Sequence, residues 1–168
     1  MKPSFLTQIS VTPLDDGVNW RLEHDLIYQD SNGTIITVPA GFITDFASIP
    51  ALNRIGLGVA AAGVLLANFN QHRPFFHWLG HVLTVKGFWI VWISNSLMCD
   101  DLLDAPATVH DWGYRVLRGS KLHWDGVLYR AMRATKRPLW KRLIIWFNLV
   151  LFGWAAWWSN ARKLVGVK

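Results

Sequence analysis

Val38 to Pro50 reads V-P-A-G-F-I-T-D-F-A-S-I-P, and the rest of the chain is read outward from it. Pro39, Gly41 and Pro50 punctuate the stretch, and its polar side chains are Thr44, Asp45 and Ser48. A rigid, mostly apolar turn holding one carboxylate and two hydroxyls has the composition of a site wall rather than of a plain connection. Gly41 follows Pro39-Ala40, so it either takes a positive φ or lets backbone approach closely. Asp45 has two readings: a cap for a helix starting at Ala47, or a chemical group.

Upstream of this stretch the pattern is that of strands. Phe5 to Val11 alternates loosely, and Asp15-Asp16-Gly17 is a turn signal. From Val18 to Tyr28 the residues Trp20, Leu22, Leu26 and Tyr28 share one parity, as on a half-buried strand, with His24 interrupting. Asn32-Gly33 forms the tip of a hairpin turn, Asp30 to Gly33, and the β-branched run from Thr34 follows. The first fifty residues thus predict a small antiparallel meander that ends in the opening motif.

Downstream the character is helical. Ile55 to Phe69 and Val82 to Met98 are apolar runs, each short of the ~20 residues of a membrane helix, so they suit buried helices, interfacial helices or a tight re-entrant pair. Asp104 and Pro106 open a helix to about Leu117, and Ser120 caps a second, about Lys121 to Thr135. Pro138 starts a third that reaches about Asn160. Within it, Leu143 to Trp158 has only Asn148 as a polar residue. At ~1.5 Å per residue that run is short against a hydrocarbon core of ~30 Å, so protein is expected to cover it and to give Asn148 a hydrogen-bond partner. The expected fold class is α+β: an N-terminal antiparallel β meander with a helical C-terminal half packed on it. One domain is expected, divided into a β-rich part (1–50), an apolar helical insertion (51–105) and a helical part (106–168).

Composition narrows the partners. The chain has 168 residues, 52% of them hydrophobic, with a mean hydropathy of +0.21, a net charge of +6 and a pI near 9.8. That length suffices for a real core. The charge, clustered at Arg115–Lys121, Arg130–Arg142 and Arg162–Lys168, suits a nucleic acid, an anionic membrane face or an anionic polymer. Cys99 stands alone, which excludes an intrachain disulfide and a cysteine-based zinc site. Met1 to Ser10 has no apolar h-region, so synthesis in the cytoplasm without a signal peptide is expected. The sequence carries no G-x-G-x-x-G, Walker loop, G-x-S-x-G or zinc ribbon, so nucleotide binding, serine hydrolysis and finger-type nucleic-acid binding have no motif behind them.

Two further polar clusters complete the candidate site: His110-Asp111 in T-V-H-D-W-G-Y, and Asp125 in H-W-D-G-V-L-Y. On a helix His110 and Tyr114 share one face, and Asp111 and Arg115 share the next. In the structural reading Asp111 pairs with Arg115 and His110 is a satisfied core histidine. In the functional reading Asp45, His110 and Asp111 meet in one pocket with Asp125 at its edge, supported by Thr44, Ser48 and Tyr114. One imidazole and three carboxylates can hold a divalent metal of undetermined identity, or do general acid–base work without one. His77 and His81, spaced i, i+4, lack the Glu of a zincin motif.

These residues resemble the domain-of-unknown-function family 1353 of tailed phages and prophages. The resemblance rests on Val38 to Pro50, on A-T-V-H-D-W-G-Y at Ala107 to Tyr114, on Asp125 with Leu128-Tyr129, and on the helix ending at Phe152-Gly153. The chain departs from the family's pattern at Ala51, where a basic residue is usual, and in the long apolar linker from Ala51 to Pro106. The resemblance implies a phage or prophage origin and no particular reaction. Three functions are compatible with it: a metal-assisted hydrolase of host envelope material such as peptidoglycan, a non-catalytic virion component of the tail or an accessory module, and a membrane-associated exclusion or lysis accessory protein. The partners expected are other phage proteins or a second copy of the chain, an anionic envelope polymer, or a membrane surface, with the protein ending in the virion or at the inner membrane.

Overall fold

The computed structural model describes residues 1–46, 50–69, 73–98 and 104–165. The chain forms two compact units, Met1–Ser48 with Asp101–Lys168, and Ile49–Asp100. Among the described residues of the first unit six short strands come first: β1 (Ser4–Phe5), β2 (Val11–Pro13), β3 (Trp20–Leu22), β4 (Leu26–Gln29), β5 (Ile35–Val38) and β6 (Ile43–Thr44). They make two three-stranded antiparallel sheets, ordered β1-β4-β5 and β2-β3-β6.

The strands are antiparallel as expected, but two long ones are each broken in two. The break between β3 and β4 has a local cause. Glu23 accepts hydrogen bonds from the Ser10 and Thr12 hydroxyls, and Asp25 accepts from the Ala40 N–H at 2.8 Å. The Asp25 carbonyl takes the Thr7 hydroxyl at 2.9 Å. Side chains thus satisfy polar groups at the bend, and the chain passes from one sheet to the other without orphaned backbone. The hairpin is where Asn32-Gly33 puts it: Gly33 has φ +87°, and Gln29 faces Ile35 across β4 and β5. Leu22, Leu26, Tyr28 and Val38 are fully buried, so the parity read from the sequence survives the break.

Gly41 has φ +79°, and open space surrounds the position a Cβ would take. Its role is therefore the turn conformation and not a close approach. We expect Gly41→Val to cost about 1–3 kcal/mol of stability through backbone strain alone. An unchanged melting temperature would count against this.

The second unit is a helical hairpin, α1 (Pro50–Phe69) and α2 (Pro74–Met98). Gly63 and Gly80 let its two backbones touch: a Cβ on Gly63 would lie 2.5 Å from the Thr84 nitrogen, and one on Gly80 would lie 2.5 Å from the Ala67 nitrogen. Outward, Leu57, Val64, Leu65, Phe75, Trp78, Val85, Phe88 and Trp89 are exposed.

The first unit then resumes with α3 (Asp104–Val116), α4 (Lys121–Ala134), α5 (Leu139–Phe152) and α6 (Trp154–Val165). Asp104 lies inside α3 as its first residue, whereas Ser120 caps α4 as expected, its hydroxyl accepting the His123 N–H at 3.1 Å. α3 and α4 pack closely because Gly113 has no side chain; a Cβ there would sit 2.0 Å from the Trp124 ring. The core joins Val109 and Tyr114 of α3 and Trp124, Val127 and Ala131 of α4 to Leu22, Leu26, Tyr28, Val38 and Phe42. A two-pronged ion pair, Arg130 to Asp30 at 2.7 and 2.8 Å, ties α4 to the hairpin.

The single third helix expected from Pro138 to about Asn160 is instead α5 and α6, bent by 55° at Gly153. A Cβ on Gly153 would meet the Leu149 carbonyl at 2.6 Å, the Tyr114 hydroxyl at 2.9 Å and Lys121 Cε at 3.0 Å. The bend thus follows from α3 and α4 side chains crowding this point. The expected protein cover of Leu143 to Trp158 is also only half met. Ile145 and Leu149 are buried, but Leu143, Phe147, Leu151, Trp154 and Trp158 are exposed. Asn148 is buried, and its Oδ1 has no hydrogen-bond partner among the described residues, so the expected partner is not found at that atom.

Candidate functional site

β6 pairs with β3, Thr44 opposite Trp20, and this fixes Thr44 in the sheet. The chain then turns sharply. Phe46 has φ +52°, and its N–H donates to the Thr44 hydroxyl at 3.1 Å. A side-chain-bearing residue in that region costs roughly 1–2 kcal/mol, offset here by packing of Phe46 on Trp20. The turn leaves Asp45 exposed. Thr44 itself is buried and donates to Asp111 Oδ2 at 2.6 Å. That hydrogen bond joins the opening motif to the His110-Asp111 motif.

Asp111 faces a pocket of about 580 Å³, lined by Asp45, Asp111, Tyr114 and Arg115 together with Ala156, Asn160 and Lys163 of α6. Asp45 and Asp111 therefore do share a pocket. Arg115 does not pair with Asp111; its guanidinium lies over the Phe42 ring, 4.8 Å from the centroid. Thr44 takes the place that Arg115 was expected to fill.

Behind the pocket lies a buried polar chain. His110 Nε2 is 3.2 Å from Asp125 Oδ1, and the Tyr114 hydroxyl donates to the same oxygen at 2.7 Å. Lys121 Nζ donates to Asp125 Oδ2 at 2.6 Å and to the Leu149 carbonyl at 2.7 Å. His110 Nδ1 points toward Asp111 Oδ1 at 3.9 Å, beyond hydrogen-bond length. His110, Lys121 and Asp125 are 2%, 1% and 0% exposed. Two placements thus differ from expectation: His110 does not line the pocket, and Asp125 is sealed in the core rather than at the pocket's edge. The close α3–α4 contact at Gly113 draws both inward.

Burial pushes the His110 imidazole down, but Asp111 and Asp125 outweigh it and hold the imidazole above its usual range. For Asp125, burial raises the carboxyl, while hydrogen bonds from His110, Lys121 and Tyr114 bring it below the usual range. Burial and then Asp125 push the Tyr114 phenol up. The signs give a pH window. The raised histidine stabilises fully below its ordinary pKa of 6.5, and that contribution is lost as pH rises through the folded value. The depressed Asp125 stabilises fully above 3.8, and its contribution is lost as pH falls through the folded value beneath that. We expect these two groups to stabilise the fold most between those limits. Melting temperatures across pH 3 to 9 test this, and a His110→Gln variant should flatten the decline on the alkaline side.

The donor set does not fit the four-ligand metal centre anticipated from Asp45, His110, Asp111 and Asp125. Both Asp125 oxygens are engaged, and an ammonium already sits 2.6 Å from one of them. A second cation there would meet Lys121 rather than a free lone pair. Among the described residues no three His, Cys, Asp or Glu side chains converge as metal ligands. The exposed His77 and His81 rings lie 4.6 Å apart in the second unit. Ser48, His72 and Cys99 lie outside the described residues.

The residues that sequence reasoning missed are Lys121, Asn160 and Lys163. Lys121 carried a signal, since it stands four residues before Asp125 just after a capping serine. Asn160 and Lys163 carried none, because only the bend at Gly153 turns α6 toward α3.

Residues 20–63 match the family described as "Protein of unknown function (DUF1353)". No curated protein and no solved structure matches the chain.

Proposed function

We propose, for a chain that belongs through residues 20–63 to a family with no described reaction, that it is a hydrolase of host envelope material such as peptidoglycan, working by general acid–base catalysis without a metal. One observation carries the reading: a pocket-facing carboxylate, Asp111, is seated by Thr44 and backed by a buried His110–Asp125 pair. Asp111 takes a proton from a water in the pocket. The water oxygen bonds to the carbonyl carbon of a stem-peptide amide, the C–N bond breaks, and Asp111 passes the proton to the leaving amine. Arg115 and Lys163 balance the charge that develops on the carbonyl oxygen. Carboxylates and cations around one pocket suit a peptide carrying both signs of charge, and the net charge of +6 favours approach to an anionic wall polymer. A phage or prophage setting for this chemistry follows from the resemblance in sequence.

The test is release of new amino groups from purified peptidoglycan by the full chain, with and without a chelator. We expect release that the chelator does not affect. No release would remove the reading, and release abolished by the chelator and restored by a divalent metal would replace it with the metal-assisted one.

A further inference from the structure

The outward face of α5 and α6 is apolar without interruption, and its rim is cationic. On α5 the exposed residues Leu139, Leu143, Phe147 and Leu151 recur every four positions, with Trp140 and Ile144 beside them, while Ile145 and Leu149 are buried on the other side. On α6 the stripe continues through Trp154 and Trp158 and reaches Arg162 at the same spacing. An exposed apolar stripe of this length is far more than scattered surface residues require. Lys136 and Arg133 are exposed before its start, and Arg162 after its end. From Gly126 onward the sequence carries nine Lys or Arg and no Asp or Glu. No single helix among the described residues is long and apolar enough to cross a membrane, and the α5–α6 pair, bent by 55°, reaches that length and apolarity only as a broken or re-entrant span.

We propose that this face docks on an anionic lipid surface, with α5 and α6 lying in the headgroup region. Three observations select that occupant. Trp140, Trp154 and Trp158 are the residue type that settles at a lipid–water boundary. The cations stand at both ends of the stripe, where they can reach lipid phosphates, and no carboxylate on these elements opposes them. The third concerns the pocket. Ala156, Asn160 and Lys163 line it from one side of α6, whereas Trp154 and Trp158 lie roughly 120–180° around the helix from each of them. Covering the stripe therefore leaves the pocket open. The proposal stands apart from the reaction proposed above.

The test is sedimentation of the full chain with vesicles of phosphatidylcholine alone or mixed with phosphatidylglycerol, at low and high salt. We expect binding to the anionic vesicles that weakens with salt. Phe147→Ser with Trp158→Ser should reduce it about tenfold or more, and Lys136→Glu with Arg162→Glu should reduce it by a similar factor. Circular dichroism and melting temperature establish that each variant is folded, and the charge pair, which removes no apolar contact, keeps the test decisive if the first pair unfolds. Four results would overturn the proposal: equal binding to both vesicle types, binding lost only in a Trp78→Ser/Phe88→Ser variant of the hairpin, release by detergent but not by high salt, or a dimer dissolved by the Phe147 and Trp158 changes with no vesicle binding.

Discussion

Asp125→Ala should lower the free energy of unfolding by about 3–5 kcal/mol. Asp125 is the hub of the buried chain, accepting from Tyr114 and Lys121 and facing His110. Removing it leaves the Lys121 ammonium with the Leu149 carbonyl and no opposite charge, in a position that water does not reach. It also deprives the buried Tyr114 hydroxyl of its acceptor, which costs more than the hydrogen bond contributed when made. The size of the effect comes from the orphaned charge rather than from the bond's own strength. That account makes a second demand: Asp125→Leu combined with Lys121→Met, which removes both charges and fills the space, should recover much of the loss. Denaturant unfolding of Asp125→Ala and of the Asp125→Leu/Lys121→Met double variant measures it. A loss below about 1 kcal/mol for Asp125→Ala would mean that the pair is hydrated.

If the proposed hydrolysis is the reaction, Asp111→Asn should reduce it by about 10²–10⁴-fold, the range associated with a general acid–base group. The amide oxygen can still accept the Thr44 hydroxyl, so the substitution takes away the proton-accepting oxygen while keeping the seat. The fold should accordingly change little, and the pocket with Asp45, Arg115 and Lys163 should persist. Binding of a non-hydrolysed stem peptide should therefore survive in the variant. Asp45→Asn serves as comparison, because Asp45 is exposed on the same pocket without the buried pair behind it. Full activity in Asp111→Asn would end the assignment of the base.

Both predictions rest on contacts that were only partly legible in advance. The Thr44–Asp45 turn and the His110-Asp111 pair were visible as polar residues set into apolar motifs, and they do meet. Their roles were less visible. Periodicity placed Asp111 beside Arg115 along one helix, but the sheet delivers Thr44 to the same carboxylate, and a short directed hydrogen bond takes precedence over a flexible pairing within the helix. Asp125 reads as a residue at a pocket's edge because it is an isolated polar group inside an otherwise apolar motif. It is buried because Gly113 admits the Trp124 ring and pulls α4 against α3.

By itself the sequence determined the order of strands then helices, the Asn32-Gly33 hairpin and the Ser120 cap, and it marked Gly41 as a special backbone position whose two readings the structure resolved to a positive φ. These are matters of local sterics and of hydrogen bonds within a few residues, so short stretches of chain decide them. Only the tertiary structure decided that two strands break to build two sheets, that the last helix bends at Gly153, and that His110, Lys121 and Asp125 close into one buried chain behind Asp111. The reason is that each depends on which side chains from distant segments compete for the same space and the same polar partner. Tyr114 of α3 and Lys121 of α4 meet at Gly153, and no periodicity along α5 encodes that meeting.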